Sequence, residues 1–274
     1  MLALPSITNF IKEARGIDLD SFRPSFLKRR LSKRTGVTNC TDLGEYYKLL
    51  KQNQDEIDAL LNELTINVSW FFRSSISCEF LKANILPALI QNKTNRKDNL
   101  IRIWSAGCAC GEEPYTMAIL LNEVLKQEAD QITVQIFATD VDKTALLRAK
   151  KGIYGRDAVK NIPYGLLTKY FNQSNDHFQI NSVIREMVHF SDFDLLDKKH
   201  FSPPEAVFAN FDIVTCQNVL IYYQLSAQKQ IFAKLTQSVA KGGYLILGEA
   251  EELVNSQKAV FRKVFDLGRI YQKH

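Results

Sequence analysis

Apolar residues recur at i, i+3, i+4 and i+7 in three short segments at the start of the chain: Ile7, Phe10, Ile11, Ala14, then Leu43, Tyr46, Tyr47, Leu50, then Ile57, Leu60, Leu61, Leu64. That spacing lines one face of a helix, so the pattern predicts a small helical domain. Asp42 followed by Glu45 reads as a capping box for the middle helix. From residue 100 the pattern changes to short apolar runs alternating with helical stripes. The runs are Leu100–Trp104, Ile132–Ala138, Met187–Phe190, Phe211–Cys216 and Tyr244–Leu247. Such alternation predicts a largely parallel sheet with crossover helices. Phe178–Arg185 reads as a small hairpin turning at Asn181-Ser182 and inserted before the third core strand. Val260–Phe265 and Arg269–Gln272 read as an antiparallel hairpin at the sheet edge. Cys78–Leu89 reads as a helix stopped near Pro87, with Gln91–Asn99 as a loop. Ser226 is the expected cap of the helix through Ile231, Leu235 and Val239, and Gly242-Gly243 the turn into the last parallel strand.

The sheet is organised around LIRIWSAGCACGEEPY, Leu100 to Tyr115. A strand runs into a small-residue loop with Gly107 and Gly111, and a helix opens at Glu112 and Glu113. Strand, glycine turn and helix bring bare backbone to a nucleotide-like ligand, and a Cβ at either glycine would hold that ligand away. The spacing is Gly-x-x-x-Gly, with no G-x-G-x-x-G and no P-loop lysine, and two acids repel a phosphate. A cationic nucleoside such as S-adenosylmethionine fits this sign better; the competing reading is a tight connection with no ligand. Asp140, at the end of the second strand, stands where an acid accepts from ribose hydroxyls. Asp194 and Leu195 follow the third strand, and Gln217 and Asn218 follow the fourth.

Composition narrows the class. A chain of 274 residues, 46% hydrophobic, has material for more than one core. The predicted organisation is a helical domain over 1–72, a linker helix and loop over 73–99, and an α/β domain over 100–274 with a β-subdomain inserted at about 153–186. A net charge of +5 is too mild for a nucleic-acid-coating protein. One stretch is locally basic: FRPSFLKRRLSKR carries Arg23, Lys28, Arg29, Arg30, Lys33 and Arg34 with no acid. Arg29/Lys33 and Arg30/Arg34 are each four apart and make adjacent cationic rows. They read either as a solvated helix face or as a docking surface for an acidic partner helix. The cysteines (Cys40, Cys78, Cys108, Cys110, Cys216) are odd in number and make no C-x-x-C pair, which suits reduced thiols in a cytoplasm. No metal site is expected, and neither a membrane-spanning run nor a signal sequence is found.

Several stretches together resemble one family. INVSWFFR (Ile66 to Arg73), IWSAGCACGEEPYTMAI (Ile103 to Ile119), ATDVD (Ala138 to Asp142), KGIYG (Lys151 to Gly155), FDIVTCQNVLIYY (Phe211 to Tyr223) and GGYLILGEAE (Gly242 to Glu251) are similar, in order and spacing, to the CheR-type chemotaxis receptor methyltransferases. The resemblance implies a Rossmann-like class I methyltransferase sheet, mostly parallel, with a small all-α N-terminal domain. It implies methyl transfer from S-adenosylmethionine to receptor glutamates, leaving S-adenosylhomocysteine and a methyl ester. It also implies that Asn67, Ser69, Arg73, Glu113, Asp140, Asp194, Leu195, Gln217 and Asn218 line the cofactor pocket with the Gly107 and Gly111 loop. Arg73 and Tyr222 would handle the acceptor carboxylate, and the basic N-terminal run would meet acidic receptor helices. The protein would reach a membrane only through that receptor, and no nucleic acid or metal would be involved. The chain departs from the family pattern at Gln217, usually arginine, and at Asp194, Ser69 and Cys110. Gln217 removes a fixed charge beside the cofactor. It motivates an alternative: a cofactor-binding, receptor-interacting module with little or no turnover. A nucleic-acid methyltransferase is disfavoured because Asn-Val-Leu-Ile-Tyr replaces a Pro-Pro-aromatic motif after the fourth strand.

Overall fold

The computed structural model describes residues 3–128, 132–206 and 208–274. The chain divides into two compact units, one formed by Met1–Ile66 with Ile221–Lys229, the other by Asn67–Leu220 with Gln230–His274.

The first unit is built by four helices, α1 (Ala3–Arg15), α2 (Pro24–Val37), α3 (Leu43–Gln52) and α4 (Gln54–Leu64). Their apolar stripes supply its core: Ile7 and Ile11, Phe26, Leu27 and Leu31, Tyr46 and Leu50, Ile57, Leu60 and Leu64 are all buried. Pro24 opens α2, where a missing N–H costs nothing. Asp42 caps α3 by accepting from the amides of Gly44 and Glu45. The return bond of the expected box lies one residue upstream, since Glu45 accepts from the amide and hydroxyl of Thr41.

The basic rows on α2 are partly consumed by α4. Arg30 and Lys33 pair with Glu63 at 2.8 and 2.9 Å. Arg34 pairs with Glu56 at 2.6 Å, and Tyr46 donates its hydroxyl to the same carboxylate at 2.6 Å. Arg23 donates Nε to Tyr223 O. Lys28 and Arg29 have no carboxylate partner among the described residues, so they are the free charge of the run.

The second unit begins with α5 (Ser75–Phe80) and α6 (Leu86–Asn95), joined through a π-helical turn over Leu81–Ile85. The helix therefore does not stop at Pro87, as its sequence suggests. The amide of Leu86 reaches back five residues to Leu81 O, and in that widened turn a proline lacking an N–H continues the helix. The order then runs β1 (Leu100–Ala106), α7 (Glu112–Glu128), β2 (Thr133–Asp140), α8 (Lys143–Lys151), β3 (Ile153–Gly155), α9 (Arg156–Val159), α10 (Tyr164–Tyr170), β4 (Phe171–Ser174), β5 (His177–Ile180), α11 (Ser182–Arg185), β6 (Val188–Asp192), β7 (Phe211–Cys216), α12 (Leu225–Ser238), β8 (Val239–Leu247), β9 (Phe261–Phe265) and β10 (Ile270–Lys273).

Seven strands form one sheet in the order β6-β2-β1-β7-β8-β10-β9. The first five are mutually parallel, and β10 runs antiparallel to both β8 and β9. This is the Rossmann-like class I methyltransferase sheet. β3, β5 and β4 make a separate three-stranded antiparallel sheet. Its hairpin turns at Asn175, which takes φ 52°, and not at Asn181-Ser182. Asn181 instead caps α11 by accepting from the amide of Ile184, so the residues read as a returning strand are helical. Helix α12 likewise starts before Ser226: Gln228 donates to Gln224 O, which leaves Ser226 inside the first turn. Gly242 and Gly243 lie within β8, at a register shift against β7. A Cβ at Gly243 would stand 2.9 Å from Asp212 O.

Among the described residues, no helix is long and apolar enough to cross a membrane, and no group of His, Cys, Asp and Glu is arranged to hold a metal ion.

Candidate functional site

In a parallel sheet of this kind the carboxyl ends of β1, β2 and β7 open on a ligand crevice. The register sets Ser105 of β1 beside Thr215 of β7. Two hydroxyls thus meet one carboxylate oxygen: Ser105 donates to Glu113 Oε1 at 2.6 Å, and Thr215 donates to the same atom. Burial nevertheless pushes the Glu113 carboxyl up to about 7, against the pull of those two donors and of Arg73. Its neighbour Glu112 is 5% exposed and is also pushed up to about 7 by burial, against the pull of Ser69. Glu112 Oε2 is buried and accepts no hydrogen bond from the described residues.

The glycine loop is held from β2. Thr139 O accepts from the amides of Gly107 and Cys108 at 2.8 and 2.9 Å. Asp140 accepts from the amide of Ala109 on one oxygen and from that of Asp142 on the other, at 2.8 and 2.9 Å. Both glycines take positive φ, 80° and 93°. The sequence assigns them to close ligand approach, but a Cβ on Gly107 would run into Val219. One on Gly111 would stand 3.0 Å from Ala149 and 3.1 Å from the Tyr154 hydroxyl. Packing of the loop on the protein itself thus also demands glycine at both positions.

The other residues implied by the motifs lie as follows. Asn67 donates Nδ2 to Asp142 at 2.6 Å, and Asp142 also caps α8. Arg73 is exposed, with its guanidinium 4.3 Å from the Trp70 ring centre and Nη1 donating to Val68 O. Asp194 is exposed and accepts from the amide of Leu196, while Leu195 is buried. Lys234 grips that loop through the carbonyls of Asp194 and Asp197. Gln217 and Asn218 are partly exposed just beyond β7, with Asn218 at φ 61°. Tyr222 belongs to the first unit, where its ring lies 5.1 Å from that of Phe26 and its carbonyl accepts from the amide of Arg23.

Sequence reasoning missed Ser105, Thr215, Asp142, Lys234 and Glu251. For Ser105 and Thr215 a signal was present: a hydroxyl in an otherwise apolar strand run needs a buried partner. The assembled set favours a cation. Two buried carboxyls, one with an oxygen that accepts no hydrogen bond from the described residues, resist a phosphate and suit an ammonium or sulfonium group.

Residues 67–267 match the family model described as CheR methyltransferase, SAM binding domain, and residues 3–65 match CheR methyltransferase, all-alpha domain. The chain is 34% identical over 242 residues to a chemotaxis protein methyltransferase of Borreliella burgdorferi, covering 87% of this chain and 83% of that one. It is 29% identical over 248 residues to the chemotaxis protein methyltransferase of Listeria monocytogenes, covering 90% and 89%. It is 30% identical over 258 residues to that of Escherichia coli, covering 92% and 85%.

Proposed function

We propose, from the premise that this chain belongs to the CheR methyltransferase family, that it esterifies glutamate side chains on the cytoplasmic helices of methyl-accepting chemotaxis receptors. S-adenosylmethionine is its cofactor. The observation that carries the reading is the buried pair Glu112 and Glu113 at the head of α7, with Glu112 Oε2 accepting no hydrogen bond from the described residues.

Bound there, S-adenosylmethionine supplies an electrophilic methyl on a positively charged sulfur. Glu113 and Glu112 meet the positive charge, and Asp140 and Asn67 stand for the ribose side. Leu195 offers an apolar surface to the adenine, and Gln217 and Asn218 close the pocket beyond β7. A receptor glutamate is already ionised near neutral pH, so no side chain of this protein has to remove a proton. Alignment and exclusion of water are the protein's contribution. Arg73 orients the acceptor carboxylate, and Tyr222 enters this assignment from the motif match alone. Lys28 and Arg29 on α2 are the charges left to meet an acidic receptor surface.

The test is transfer of a labelled methyl group from S-adenosylmethionine to a purified receptor cytoplasmic fragment. A base-labile label, released as methanol, supports the ester. A base-stable label overturns it, and binding of the cofactor without transfer favours the non-catalytic module that Gln217 motivates.

A further inference from the structure

Just beyond β8, the carboxylate of Glu251 is 3% exposed yet carries a dense set of donors. Its Oε2 accepts from the amides of Asn218 at 2.9 Å and Gly248 at 2.8 Å, and its Oε1 accepts from that of Leu220 at 2.7 Å. Two amides after β7 and one just after β8 therefore converge on one side chain contributed from beyond the end of the neighbouring strand.

The reason lies in the backbone. Asn218 takes a left-handed conformation, φ 61°, and a turn of that kind points successive N–H groups to one side. Left buried without an acceptor, each such group would be costly, and a carboxylate is the strongest acceptor available. The fit is close on both sides. A Cβ on Gly248 would stand 2.7 Å from the Asn218 amide and 3.0 Å from Asn218 Cγ, and Val219 occupies the space over Gly107.

We infer that Glu251 is a positioning residue for the cofactor: it gathers the turn 218–220 and so sets the side chains of Gln217 and Asn218 at the mouth of the crevice. This rests on the reading that those two residues face S-adenosylmethionine. Glu251 itself has its oxygens committed to backbone amides and acts through them. Glu251→Gln preserves the volume but replaces one acceptor oxygen by an NH2 group, which meets backbone N–H groups donor to donor.

The experiment is calorimetric titration of the full chain with S-adenosylhomocysteine, at a temperature well below the melting point of each variant. Glu251→Gln is expected to weaken binding about tenfold or more, the equivalent of losing one charge-assisted hydrogen bond. Gly248→Ala, which leaves Glu251 intact but pushes on Asn218, is expected to weaken it similarly. The double variant should show less than the product of the two effects, because both act on one turn. Asn218→Ala separates the two levels of the argument. If it leaves the affinity unchanged, the pocket reading fails. If it weakens binding while Glu251→Gln binds as the parent does and merely melts earlier, the positioning role fails. Should Glu251→Gln not fold, Gly248→Ala decides alone, and an unchanged affinity there overturns the inference.

Discussion

A Cβ placed on Gly107 would overlap Cγ2 of Val219, the side chain that follows Asn218 out of β7. The first turn of the crevice and the last strand to reach it are thereby locked together. Gly107→Ala adds that overlap to a backbone held at φ 80°. The expected cost is about 1–3 kcal/mol, read as a lowered melting temperature, with weakened S-adenosylhomocysteine binding. Stability equal to the parent's would show that Val219 moves aside freely.

The two acids at the head of α7 make opposite predictions for folding and for binding. Each has its carboxyl pushed from the ordinary 4.5 up to about 7, first by burial. Between those values the folded protein holds protons that the unfolded chain has released. This contribution favours folding at low pH and is lost as the pH rises through about 7. Glu113→Gln should accordingly flatten the fall in melting temperature between about pH 5 and pH 8. Cofactor binding calls for the ionised form, so affinity for S-adenosylmethionine, whose sulfur carries the positive charge, should tighten about tenfold from pH 6 to pH 8 for one such carboxylate. Calorimetry at the two pH values checks it, and no pH dependence would remove the acids from the pocket.

On α2 the paired and unpaired cations separate structure from recognition. Glu56 is 6% exposed and holds both Arg34 and the Tyr46 hydroxyl. Glu56→Ala should destabilise the helical unit by about 3 kcal/mol, because Arg34 is left half-buried and uncompensated. The double reversal Lys28→Glu with Arg29→Glu should leave melting and S-adenosylhomocysteine binding unchanged while methylation of a receptor fragment falls about tenfold. Unchanged methylation would move the docking surface elsewhere.

Arg73, stacked on Trp70 and tethered to Val68 O, is exposed and so is not needed to hold the core. Arg73→Ala is expected to cut turnover roughly a hundredfold, as for loss of one oriented donor, with little change in melting temperature. Full turnover in a labelled-methyl assay would take Arg73 out of the reaction.

What the chain announced by itself follows from periodicity and from short motifs. The stripes Ile7/Ile11 and Ile57/Leu60/Leu64 foretold buried helix faces, and runs such as Phe211–Cys216 foretold strands buried on both sides, because burial demands those periods wherever the element sits. The short motifs, read together, foretold S-adenosylmethionine as the cofactor. Only the folded structure decided the rest, through contacts between residues far apart in the chain. It assigned Arg30, Lys33 and Arg34 to Glu63 and Glu56, bent the chain to a π turn before Pro87, and made Asn181 a cap and not a turn. It also brought Ser105 beside Thr215 and gathered the amides of Asn218, Leu220 and Gly248 onto Glu251. Local pattern reports which face is apolar; which polar partner satisfies a buried group depends on strand register and packing across the fold, and no short window of sequence carries that.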